Sequence, residues 1–321
     1  MNNLKEKKSY LSLPSNLPLV AILLCTYNGA RFLAEQLDSL EAQTHQNWVV
    51  IASDDGSTDQ TLEILQQYQA KWTVGKLTIR SGPQKGFCHN FLSLACDPQI
   101  KADYYAFCDQ DDVWLPEKIS VALSILNSNA NGSLDLYCGR TIYISERGDE
   151  IGISRKFVHP KTFRNALVQC VAGGNTMIFS AEAKELIELA PKVVVPSHDW
   201  WLYQLVTGNG RLVYYDLNPL IKYRQHPNSL VGQNISLNSK LDRLAMVLNG
   251  EFRAMISNNI AAIEATPVFL TEENNEIFNL FKKMRICHLK DRIRLIGVCG
   301  IYRQTWQGTV SLLLAAILKK I

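Results

Sequence analysis

No Cys-x-x-Cys pair occurs in these 321 residues; the eight cysteines, at 25, 88, 96, 108, 138, 170, 287 and 299, stand singly, several within apolar runs. That spacing argues against a zinc ribbon or a disulfide framework and suits buried thiols in a reducing cytoplasm. Long apolar runs are missing too. The stretch 19–25 is too short for a membrane span or a signal-peptide core, and the N-terminus carries Lys5, Glu6, Lys7 and Lys8. The reading is a protein kept inside the cell. Neither charge sign dominates, since 33 Lys and Arg against 30 Asp and Glu leave +3, so no global field points to nucleic acid. Two glycine signatures are also absent. Without Gly-x-Gly-x-x-Gly or Gly-x-x-x-x-Gly-Lys-Ser/Thr, neither a dinucleotide fingerprint nor a P-loop holds phosphates here.

What is present is a regular alternation, in a chain whose 47% hydrophobic content supports a sizeable core. The apolar run 19–25 has the character of a central strand covered on both faces. Thr26-Tyr27-Asn28-Gly29 breaks it, and Phe32, Leu33, Leu37 and Leu40 then recur at helical spacing. The unit repeats. A strand over 48–52 meets the turn 53–59 and a helix carrying Leu62, Ile64, Leu65 and Tyr68; a strand over 76–80 meets the loop 81–85 and a helix over 87–95. Four such alternations predict an α/β fold with a doubly wound, mainly parallel, Rossmann-like sheet. Ligands of such sheets bind outside the carboxyl ends of the strands, where every polar loop just named should converge.

The fourth strand, 104–108, stops at Asp109-Gln110-Asp111-Asp112, and Pro116 opens a helical pattern. Carboxylates two apart on an extended segment leave the same face, so Asp109 and Asp111 could share a hard divalent ion that keeps places for phosphate oxygens. Short strands over 134–137, 141–144 and 151–153 follow, which turns the sheet into a mixed one. Gly173-Gly174 then leads into a strand and a helix over 181–189. His198-Asp199-Trp200-Trp201 opens another helix, and a carboxylate among aromatic walls is costly unless it works or pairs. A strand over 211–215 precedes Tyr223-Arg224-Gln225-His226.

Taken together, Cys25-Thr26-Tyr27-Asn28-Gly29, Asp54-Asp55-Gly56-Ser57-Thr58-Asp59 and Asp109-Gln110-Asp111-Asp112 with Trp114 and Pro116 resemble the family 2 glycosyltransferases of GT-A fold, over roughly residues 18–235. The Tyr-Arg-x-His segment with Asn228 and Val231-Gly232 is similar to bacterial enzymes that transfer rhamnose onto O-antigen and cell-wall glycans. The resemblance implies donor-binding roles for Thr26, Tyr27 and Asn28 at the base and ribose, Asp54 and Asp55 at the pyrimidine, and Asp109 at the ribose or sugar. It implies Asp111, with Asp109 and His226, as ligands of Mg²⁺ or Mn²⁺ on the diphosphate, Arg224 reaching the diphosphate or the metal, and the Gly173-Gly174 turn under the donor sugar. It implies Asp199 as general base of an inverting transfer, with Trp200 and Trp201 stacking on an acceptor sugar. It implies dTDP-rhamnose or a UDP-sugar as donor, and a lipid-linked or polysaccharide glycan of the bacterial surface as acceptor. The Gln-x-x-Arg-Trp signature of processive synthases is absent, which implies one sugar added per encounter. A non-catalytic nucleotide-sugar-binding relative and a nucleotidyl- or phosphotransferase are the competing readings.

Three regions are expected: a leader over 1–17, the catalytic domain over 18–235, and a helical, basic extension over 236–321. From Lys282 onward Asp291 is the single acid against nine Lys and Arg, at 282, 283, 285, 290, 292, 294, 303, 319 and 320. Such an end suits peripheral contact with the inner face of an anionic membrane.

Overall fold

The computed structural model describes residues 17–128, 134–190, 192–226, 245–266 and 269–321. The expected leader up to residue 16, the 235/236 boundary and the segment Asn228 to Gly232 lie outside them. A seven-stranded sheet forms the centre, in the order β10-β6-β9-β4-β1-β2-β3. Its strands are β1 (Val20–Thr26), β2 (Trp48–Asp54), β3 (Leu77–Ser81), β4 (Tyr104–Cys108), β6 (Leu134–Gly139), β9 (Ile178–Ser180) and β10 (Leu212–Asp216). Helices α1 (Leu33–Glu41), α2 (Thr61–Lys71) and α3 (Phe87–Ala95) connect the first four. The pairs β1–β2, β1–β4, β2–β3 and β6–β10 are parallel, whereas β9 is antiparallel to both β4 and β6.

Every residue of β1 is buried, and alternate positions feed two cores. Val20, Ile22 and Leu24 meet Leu33, Leu37 and Leu40 of α1 on one face; Ala21, Leu23 and Cys25 meet Phe91 and Leu94 of α3 on the other. This two-sided burial is why an unbroken apolar run codes the central strand.

A second sheet, ordered β5-β11-β7-β8, comprises β5 (Val113–Trp114), β7 (Ile142–Ile144), β8 (Glu150–Ile153) and β11 (Ile221–Arg224). Ile221 and Lys222 pair with Trp114 and Val113, so β11 lies beside the residues that follow the acidic loop. Helices α4 (Lys118–Asn127), α5 (Phe163–Ala166), α6 (Ala181–Glu188) and α7 (His198–Gly208) complete the α/β body.

Four further helices, Glu251–Ala265, Glu272–Ile286, Leu289–Cys299 and Trp306–Ile317, follow in the chain. Phe269, Phe281, Leu295 and Leu312 join the same buried cluster as Trp201 and Leu205 of α7. Polar ties reinforce the seam: Asn274 donates to the carbonyls of Thr207 and Gly208, and Arg164 to that of Cys299. No helix among the described residues is long and apolar enough to cross a membrane.

Candidate active site

The loops after β1, β2, β3 and β4 are tied into one platform by side chains that bond the neighbouring loop's backbone. Asn28, with φ +48°, receives Thr58 N–H on its Oδ1 at 2.8 Å, and its own N–H donates to Ser57 Oγ at 2.9 Å. Gln110 clamps Tyr27 from both sides, accepting from its N–H at 2.8 Å and donating to its carbonyl at 3.0 Å. Asp54 accepts from Thr26 Oγ1 and from the N–H groups of Gly56 and Ser57, which closes the turn after β2. Asp55 does the same for the next loop, accepting from Gln84 N–H at 2.6 Å and Gly86 N–H at 2.8 Å. Between those loops lies a hollow of about 280 Å³ lined by Gly56, Ser57, Leu62, Ile79, Arg80 and Gln84, among others. Tyr27 stands at the rim with 58% of its surface exposed.

After β4 the chain bends rather than staying extended, and the bend gives the three acids different fates. Asp112 turns inward and is fully buried, where it accepts from Asn175 Nδ2 at 2.6 Å and from Arg224 N–H at 3.2 Å. Burial, then the charges of Asp111 and Asp109, hold its carboxyl well above the carboxylate range. Asp111 stays partly exposed, with its Oδ2 2.8 Å from His226 Nε2. Asp109 is pushed up to about 7, first by burial, then by the negative charges of Asp111 and Asp199. Lys118 lies beneath them, fully buried, donating to the Asn175 carbonyl at 2.7 Å and drawn down to about 7 by desolvation.

Asp199 sits in the first turn of α7. Its Oδ2 accepts from Gly174 N–H at 3.1 Å and its Oδ1 from Trp200 N–H at 2.6 Å. A side chain at Gly174 would bring its Cβ to 2.4 Å from His198 Nε2, so the backbone reaches Asp199 only because that residue is glycine.

A family model described as "Glycosyl transferase family 2" matches residues 21–188. The dTDP-rhamnosyl transferase RfbG of Shigella flexneri is 30% identical over 244 residues, covering 73% of this chain and 82% of that protein. This chain belongs to glycosyl transferase family 2. An uncharacterized glycosyltransferase of Rickettsia typhi is 27% identical, covering 79% of this chain and 78% of its own length. Among solved structures, S. aureus TarS 1–349 in complex with UDP-GlcNAc superposes with a TM-score of 0.58 at 16% identity, over 94% of this chain and 88% of that one. The mannosyltransferase PcManGT from Pyrobaculum calidifontis, in complex with GDP-Man and Mn²⁺, gives 0.53 at 15% identity, over 95% and 88%. Those likenesses show the GT-A glycosyltransferase fold.

Several expected donor and acceptor residues have other work in this glycosyltransferase. The Trp200 indole donates to the Ala166 carbonyl at 2.6 Å and is 4% exposed, and Trp201 is wholly buried, so neither offers a face to an acceptor sugar. Thr26 is 1% exposed and its hydroxyl is committed to Asp54. Arg224 is buried as well. Its guanidinium meets Glu35 at 2.5 Å and donates to the carbonyls of Asp111 at 3.0 Å and Glu146 at 3.1 Å, so it fastens the acidic loop instead of facing a diphosphate. Replacing Arg224 by Met strands those carbonyls, while half-exposed Glu35 can turn to water. Unfolding free energy should fall by about 2 kcal/mol. Urea titration checks this, and a loss below 0.5 kcal/mol, taking ~0.5 as the usual surface scatter, would mean the guanidinium is not fastening the loop.

Two donors suited to a divalent ion stand together. Asp111 and His226 supply one oxygen and one nitrogen donor in contact, beside an Asp109 carboxyl pushed up first by burial and then by neighbouring negative charge. Among the described residues no group of three His, Cys, Asp or Glu side chains gathers closely enough to hold an ion. Asp109 therefore does not complete a three-ligand set with Asp111 and His226, and remaining positions would fall to water and ligand oxygens.

Gln110, Lys118 and Glu35 were not legible as site residues, and Gly174, read as lying under the donor sugar, instead gives its N–H to Asp199. Gln110 reads as a spacer between acids, and Lys118 as the first charge of a helix. His198, read only as a wall of the site, is stacked on Phe91 at 4.0 Å between ring centroids, and neither ring nitrogen has a partner among the described residues. Burial pulls its imidazole down to about 4, against Asp199's opposing charge. Between pH 6.5 and 4 the unfolded chain therefore gains a proton that the folded chain refuses, and stability falls as pH falls, by up to about 3 kcal/mol. The His198→Leu variant should lack this component. Its Tm should gain on wild type progressively from pH 6.5 down to 4, and parallel Tm curves would refute the account.

Proposed function

We propose that this family 2 enzyme is an inverting, non-processive, divalent-metal-dependent transferase. It moves rhamnose from dTDP-rhamnose to a lipid-linked glycan of the bacterial surface, at the inner face of the cytoplasmic membrane. One observation carries the mechanism: the adjacent residues Gly174 and Asn175 bond both acidic segments, Gly174 N–H donating to Asp199 at 3.1 Å and Asn175 Nδ2 to Asp112 at 2.6 Å, which supports one cleft serving leaving group and incoming group together. Similarity to the dTDP-rhamnosyl transferase supports the donor. The solved neighbours' UDP-GlcNAc and GDP-Man complexes support a nucleotide-sugar in this place.

Asp199 takes the proton from the acceptor hydroxyl as its oxygen bonds to the anomeric carbon, and the bond from that carbon to the diphosphate breaks on the opposite side. The N–H groups of Gly174 and Trp200 hold the carboxylate in place. Asp111 and His226 would hold Mg²⁺ or Mn²⁺, which when bound offsets the charge gained by the departing diphosphate. Tyr27, clamped by Gln110, presents its ring to the base. Asn28, Asp54 and Asp55 shape the base hollow by holding its loops. Incubation with nucleotide-sugars and an amphipathic glycan acceptor should release nucleoside diphosphate and give a product whose anomeric configuration by NMR is opposite to the donor's. Release of pyrophosphate, or retained configuration, would overturn the reading.

A further inference from the structure

The helices Leu289–Cys299 and Trp306–Ile317 each bury one face and leave a second, apolar one in solvent. On the later helix Leu312, Ala315 and Ala316 face the core, while Trp306, Val310 and Leu314, spaced by four, are 71%, 47% and 56% exposed. It contains no charged residue at all. Gln307 and Ser311 share its exposed side, yet a row of large apolar side chains in solvent ordinarily marks a surface that something covers. On the earlier helix Leu295 and Cys299 are buried, while Leu289 and Ile293, four apart, are each 54% exposed. The two helices adjoin, with Arg292 Nη1 of one donating to the Ile317 carbonyl of the other at 2.9 Å.

Charge around these stripes is mainly basic. Lys290 and Arg294, both exposed, flank Leu289 and Ile293; Lys319 and Lys320 follow Leu318; and Asp291 is the single acid from Lys282 to the last residue. A second copy of the chain would set basic margin against basic margin, which opposes self-association through this face. An anionic bilayer accepts the margin in its headgroups and the stripe at the acyl boundary. The face is also fixed to the catalytic frame: Gln304, between the helices, bonds Asn165, which accepts from Tyr203 of α7, the helix that opens with Asp199.

We propose that this two-helix surface docks the enzyme flat on anionic lipid, with Trp306, Val310, Leu314, Leu289 and Ile293 entering the headgroup boundary. The inference rests on the lipid-linked acceptor proposed above and assigns its binding face. The full chain should sediment with vesicles of phosphatidylglycerol and phosphatidylethanolamine, and at least tenfold more weakly with phosphatidylcholine alone. Trp306→Ser/Leu314→Ser and Lys290→Glu/Arg294→Glu should each weaken anionic-vesicle binding at least tenfold, with thermal unfolding and transfer to a soluble acceptor unchanged. The proposal fails if wild type ignores anionic vesicles, if the Trp306→Ser/Leu314→Ser chain binds them equally well, or if those substitutions instead split a dimer that never binds vesicles. The vesicles carry neither donor nor acceptor. An enzyme that transfers sugar but ignores them loses the docking face alone, whereas one that binds them without any transfer supports the docking face and counts against the proposed function.

Discussion

Replacing Asp199 by Asn should lower the transfer rate by about 10³-fold while leaving nucleotide-sugar affinity within about twofold, the span expected when a positioned general base is lost and donor contacts are kept. The asymmetry follows from where the carboxylate sits. Both oxygens already accept backbone N–H groups, from Gly174 at 3.1 Å and Trp200 at 2.6 Å. An amide keeps one acceptor and turns an NH₂ toward the other donor, so the substitution also costs about 1 kcal/mol of stability through one lost hydrogen bond. That cost is far too small to explain a thousandfold loss by unfolding. Single-turnover transfer on one side, and calorimetric donor titration on the other, separate the two effects. A variant retaining a tenth of wild-type turnover would remove Asp199 from the base's role. A variant that loses donor affinity and rate together would make it a donor-positioning residue instead.

The framework of the fold was readable because it depends on local signals that point the same way. In β1, α1, β2 and α2 the apolar periodicity, the turn residues and the strand lengths agree, and the structure follows them within a residue or two. What escaped is decided by contacts distant in sequence. Arg224 reads as a cation beside a histidine, and only folding reveals that its partner is Glu35, 189 positions earlier. Trp200 and Trp201 follow an acid at a helix start, a pattern identical for an acceptor platform and for core packing; burial against Ala166 and Phe269 chose the core. The resemblance set Asp111 on the metal and Asp109 at the sugar, but nothing local marked Asp112 as the acid that turns inward. Their roles come from a bend that turns one carboxylate onto Asn175 and leaves another against His226. The antiparallel β9, inserted between β4 and β6, is likewise a product of chain return that no local pattern encodes.

The Asp111→Asn variant is expected to lose the ion-dependent part of donor affinity. Calorimetry with the nucleoside diphosphate should show wild type binding at least about tenfold tighter with Mn²⁺ than with chelator present, as expected when a metal bridges protein and phosphate, and the variant binding equally in both. The amide oxygen of Asn is a poor ligand for a hard cation, and the imidazole of His226 loses the carboxylate 2.8 Å away that orients it. Folding should be spared, because the Asp111 side chain is partly exposed and the loop is fastened through the Asp111 carbonyl, which Arg224 holds whatever side chain is present. The two arms of the titration therefore discriminate. A variant that still tightens with Mn²⁺ would move the ion elsewhere, and a wild type indifferent to Mn²⁺ would leave the diphosphate charge to the protein's own donors. In the second case Asp111, beside the buried Asp109, would set negative charge against an anionic leaving group with Lys118 and His226 as neighbouring basic groups, an arrangement that opposes the departure it should assist.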